Sequence, residues 1–253
     1  MRHLALLFML FPIQAFEYIP FGLPINTEYT DPTIFKMLTE KGFVQVDTNR
    51  LRLLPENVEA IAQVAAKEDK YLASNKLVYE KSAPEKPNAK FRVTLQYLPS
   101  TKKVASVGAE GDLSIFTEDL GEQRKIILDI LDKVASASYK TLFVAVVEDK
   151  HTKEISLELL KKGVSDIRGV FTVEITARDK SRELGEEDRD LSIWLNCEKN
   201  TTKVGILASR SKACGMCEQE EAKLRHVILE RMQVIRTKNN SEAMEGKGNK
   251  VGL

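Results

Sequence analysis

From Leu191 to Cys197, and again from Val204 to Ala208, apolar residues recur at every second position, and two such runs joined by a polar turn leave the segment little choice but an antiparallel hairpin with one buried face. With Asn200 and Thr201 as its turn, Cys197 faces Val204, Leu195 faces Ile206 and Ile193 faces Ala208, so the apolar pairs share one side. Trp194 points the other way beside Asn196, where exposure would make it a contact residue for a partner. A sheet with one dry face needs a layer over it. Asp119 and Glu122 form a capping box for a helix with the stripe Ile126, Ile127, Ile130, Leu131 and Val134. A closing helix, starting near Cys217, offers Leu224, Val227, Ile228, Met232 and Ile235.

Earlier segments follow the same logic. Asp31 caps a short helix that has Pro32 at its first position, buries Ile34, Phe35 and Leu38, and stops at Gly42. Phe43 to Val46 suggests a brief strand, and a helix from Pro55 carries Val58, Ile61, Ala62 and Ala65 on one stripe. Lys76 to Lys81, Lys90 to Leu98 and Lys103 to Val107 read as strands, with Gly108 and Gly111 breaking the pattern after them. Thr141 to Val147 is an unbroken, β-branched apolar run, which predicts a central parallel strand covered on both faces. A helix over Lys153 to Lys162 then leads to the alternating strand Phe171, Val173, Ile175. The expected class is α/β, or α+β overall. A layered α/β sandwich over 101–237 follows a smaller α+β region over 16–100, with a disordered tail at 238–253. From Gly111 to Ile235 the element order is similar, in topology alone, to TPM-type domains, small extracytoplasmic α/β modules; Lys203 to Leu207, with Gly205, stands where their glycine-bearing strand would be.

Residues 1–15 have the layout of a secretory signal peptide: Arg2 and His3 precede the apolar run Leu4 to Ile13, and Ala15 is a small cleavage residue. The run is too short to span a bilayer, which takes about 20 residues. No longer apolar run follows, so the mature chain is expected to have no transmembrane segment and to work as a secreted or lumenal protein, periplasmic in a bacterium. Asn200 and Asn239 head glycosylation sequons. Basic and acidic residues number 38 and 37 and are interspersed, which speaks against nucleic acid as a partner.

Three cysteines occur, Cys197, Cys214 and Cys217, an odd count for an oxidising compartment. Cys214-Gly215-Met216-Cys217 at a helix start has the local context of a thiol oxidoreductase motif, but a thioredoxin-like domain needs two strands and a helix after it. The expectation is a local Cys214–Cys217 disulfide and a buried free Cys197, with dithiol redox chemistry as the alternative. A second alternative is a divalent-cation module that draws Glu148 and Asp149 together with Glu187 and Asp188. No serine elbow or histidine cluster supplies a hydrolase. The leading expectation is therefore a non-enzymatic binding protein with no cofactor, acting on a protein or ligand of unknown identity.

Overall fold

The computed structural model describes residues 19–46, 52–68, 74–83, 85–137, 139–148, 151–166, 169–179 and 189–248; the expected signal peptide lies outside them. Helix and sheet are mixed, as an α+β chain requires. The strands are β1 (Val44–Gln45), β2 (Lys76–Ala83), β3 (Lys86–Tyr97), β4 (Val104–Asp112), β5 (Thr141–Glu148), β6 (His151–Glu154), β7 (Phe171–Asp179), β8 (Arg189–Cys197) and β9 (Thr202–Arg210). They form one sheet in the order β1-β2-β3-β4-β9-β8-β7-β5-β6. Every pairing within it is antiparallel.

The chain leaves β4 through a 3-10 turn, Leu113–Ile115, and helix α3 (Leu120–Ser136), and re-enters the sheet at β5, near the far edge. Strands β7, β8 and β9 then fill the gap back to β4. The α3 residues Ile127, Ile130, Leu131 and Val134 join the core formed by Val107, Ile175, Ile193 and Ile206. Helix α1 (Pro32–Thr39) adds Ile34 and Leu38, and helix α4 (Leu157–Ser165) adds Leu160 and Val164. Both N-caps form: the Asp31 carboxylate accepts from the Thr33 amide at 2.8 Å, and that of Asp119 from the Glu122 amide at 3.0 Å. The reciprocal half of the expected capping box does not form, because the Asp119 amide donates to the Thr117 hydroxyl and Glu122 pairs with Lys125. Phe35 departs from its expected burial and is 54% exposed.

The expected central parallel strand is instead antiparallel, one place from the edge, with Leu142 and Phe143 exposed. Its composition suits a buried strand, but only two residues separate Glu148 from His151, and so short a connection permits only a hairpin. The β8–β9 register is also shifted. Cys197 pairs with Thr202, Leu195 with Val204 and Ile193 with Ile206, because the turn spans four residues and closes with the Glu198 amide donating to the Thr201 carbonyl. A shift of two keeps side-chain parity, so the expected dry face is preserved.

Gly108 and Gly111 do not end a strand. They lie inside β4, and the boundary expected near residue 100 falls within a continuous sheet, since β3 pairs with β4 across it. Gly111 has φ +149°, and a Cβ there would lie 2.2 Å from the Lys90 carbonyl oxygen. Helix α2 (Val58–Lys67) packs apart from the main core, with Ile61 and Ala62 against Ile228 of helix α5 (Ser211–Gly248). Helix α5 starts before the expected Cys217 and keeps residues 238–248 helical where a disordered tail is expected.

On the opposite sheet face, Trp194 lies across Gly205 of β9, where a Cβ would meet the indole Nε1 at 1.9 Å. The substitution Gly205→Ala is expected to cost about 1–3 kcal/mol, as overpacking does. In a Trp194→Ala background the cost shrinks, because the obstructing ring is gone. Urea unfolding of the two single variants and the double variant checks this; strictly additive losses would contradict it.

Candidate functional site

A cavity of about 750 Å³ opens on the helix-bearing face of the sheet. Its floor is Phe91, Ala109, Val204 and Ile206, from three neighbouring strands. One wall is Ile126 and Ile130 of α3, and the other is the segment from Ile19 to Pro24, which ends the floor's exposure to solvent. That segment bends sharply at Phe21 and Gly22, with φ values of 57° and 67°, while prolines at 20 and 24 restrict the chain on both sides. The bend carries the Phe21 ring to 5.5 Å from that of Phe43 and 6.1 Å from that of Phe91, both edge-on. Phe116, after the 3-10 turn, completes the cluster at 5.0 Å from Phe91. Such edge-to-face contacts fix ring positions as well as burying area.

Three charged residues line this space: Lys41, Asp129 and Lys133. Asp129 and Lys133 are one turn apart on α3 and pair at 2.6 Å. Lys81 of β2 lies beside this lining: it donates to the Lys41 carbonyl at 2.9 Å and stands 5.1 Å from the Phe116 ring centroid. The volume falls within the roughly 300–1,000 Å³ typical of small-ligand sites, and a mostly apolar lining with a few charges is their usual composition.

The residues singled out in the sequence lie elsewhere. All three cysteines are free thiols, so the expected Cys214–Cys217 disulfide is not formed; Cys197 is buried, as expected. Cys214 and Cys217 stand three apart in the first turns of α5, both reduced. The helix start is expected to lower their pKa. Instead, burial raises both, pushing Cys217 to about 12, with the Cys214, Glu220 and Glu221 charges adding to the effect. The first turns of α5 sink into a small cluster with Ala105 and Leu98, and this loss of solvent outweighs the helix dipole.

Asp149, Glu187 and Asp188, and the side chain of Glu148, lie outside the described residues. The strand ends anchoring those two acidic segments are at opposite ends of the sheet, seven rows apart or about 23 Å at roughly 3.3 Å per residue. Among the described residues no group of His, Cys, Asp and Glu could hold a metal ion. Asn200 is exposed at the β8–β9 turn, and Asn239 is exposed on α5. Trp194 is 39% exposed over a shallow depression with Lys90, Arg92 and Glu110.

Sequence reasoning missed both the cavity residues and a buried polar group. Arg124 belongs to α3 yet is only 2% exposed. It donates to the Gly169 carbonyl at 3.0 Å and the Glu198 carbonyl at 3.4 Å, and its guanidinium lies 5.6 Å from the Phe171 ring centroid. Helical periodicity gives no hint of this, since a charged residue off the apolar stripe reads as solvated. For the cavity, the available signal was the two-proline segment near the N-terminus, a stretch without period whose fixed backbone serves as a wall.

At about pH 8, alkylation of Cys217 in the folded protein is expected to run on the order of a thousandfold slower than in urea, since little thiolate forms below its raised pKa. Peptide mapping after timed iodoacetamide treatment measures it; labelling at the rate of an unfolded thiol would favour the redox alternative. No family model, curated protein or solved structure matches this chain.

Proposed function

We propose that the protein is an extracytoplasmic binding protein that holds a small apolar ligand in the cavity between α3, the Ile19–Pro24 segment and the sheet. The observation carrying this reading is the cavity itself, about 750 Å³ with apolar side chains on its floor and both walls. A concave, largely apolar space of this size is what small-ligand sites are built from, and that match supports the reading. In this reading the second half of the chain is a two-layer sandwich, with α3 and α4 laid over the sheet; their shared burial with Val173, Ile175 and Ile193 supports it. Export rests on the leader, Met1 to Ala15. Among the described residues no helix is long and apolar enough to cross a membrane.

Binding by apolar burial has a chain-length signature. Displacement of a neutral fluorescent reporter by a series of n-alkanols is expected to tighten about fourfold per added methylene, the equivalent of about 0.8 kcal/mol each, until the cavity is full. Ile126→Trp, at the half-buried wall, removes this binding without unfolding the protein. Leu207→Trp, on the opposite sheet face, leaves it intact. Absence of any chain-length dependence, or loss of binding in Leu207→Trp alone, would overturn the reading.

A further inference from the structure

We propose that the cavity's ligand is an anionic amphiphile: one negative head held at the mouth by Lys41 and Lys81, with an apolar tail along Phe91, Ala109 and Ile206. The inference rests on the cavity reading and deepens it by naming the ligand's chemistry. The charges around the opening do not cancel. Asp129 and Lys133 satisfy each other at 2.6 Å. Among the described residues neither Lys41 nor Lys81 has a carboxylate partner. Yet the Lys81 ammonium is held beside the Lys41 backbone by a 2.9 Å hydrogen bond and lies next to Phe116, part of the apolar lining.

Lys41 lines the apolar slot and the Lys81 ammonium is anchored beside it, against the Lys41 carbonyl and the Phe116 ring, so the potential at this edge is positive and favours a negative group there. A neutral ligand would gain nothing from that potential and a cationic one would be opposed by it. The aromatic cluster favours the same polarity arrangement. With Lys81 over its face, the Phe116 ring helps stabilise an ammonium at the mouth without neutralising it. Apart from the mutually neutralised Asp129–Lys133 pair, the site therefore offers positive charge at Lys41 and Lys81 and a mostly apolar lining, which is the complement of an amphiphile's two ends.

Dodecanoate and dodecanol share a tail and differ in head charge, so the ratio of their dissociation constants isolates the head group. Both are titrated below micelle formation against the full chain carrying a neutral fluorescent reporter, at low salt. In Lys41→Gln/Lys81→Gln, dodecanoate is expected to weaken about fivefold or more while dodecanol changes less than about twofold. In Asp129→Asn, which frees Lys133, dodecanoate is expected to tighten by about threefold and dodecanol to stay unchanged. Raising the salt shrinks both effects. A ratio that neither variant moves, with dodecanol still bound, overturns the anionic head while the cavity reading survives. Failure of both ligands to displace the reporter overturns the cavity reading itself.

Discussion

The antiparallel pairing of β4 with β9 is the contact on which the rest of the molecule depends. It joins Ser106 through Asp112 to Ser209 through Lys203, segments about a hundred residues apart, and so turns two groups of strands into one sheet. Loop closure over that span costs little more than over half of it, because the entropy term grows only logarithmically with length. The sequence eases the join at two points. Gly108 lies opposite Leu207, and Gly205 lies opposite Glu110 and under Trp194, so side chains pack across positions that have none of their own.

From this join follows the placement of the cavity. Ala109 and Ile206 are paired across β4 and β9, and with Phe91 and Val204 they form its floor. The chain must leave β4 and travel beneath β9, β8 and β7 to reach β5, and α3 is the element that makes that passage. Its Ile126 and Ile130 thereby become a wall. The Ile19–Pro24 segment closes the other side, tied by Phe21 to the aromatic cluster. One sheet face is thus shut by helices and the N-terminal segment. The other carries alternating polar residues with Trp194 and Leu207 exposed among them.

Much of the local structure was legible because its causes are local. The caps at Asp31 and Asp119 depend on a single side chain and its own turn, and the alternation in β7, β8 and β9 depends only on the two-residue period of a strand. Pairing direction was not legible. The run Thr141 to Val147 reads as buried because its residues are apolar, but its position near an edge is set by the short link to His151 and by strands that come later in the chain. The thiols show the same limit: Cys214 and Cys217 lie at a helix start, which favours the thiolate, and only the fold reveals the burial that wins. Lys41 and Asp129 come from separate segments, and no spacing in the sequence announces that both line one opening.

The central claim is that ligand enters the covered face of the sheet and not the open one. Methyl-resolved NMR of the full chain during a dodecanol titration tests it directly, since Ile206 and Leu207 are adjacent residues on opposite faces. The account predicts saturable shifts at Ile126, Ile130, Val204 and Ile206, with Leu207 and Leu229 unmoved. Shifts centred on Leu207, or a spectrum with no saturable response at all, would contradict it.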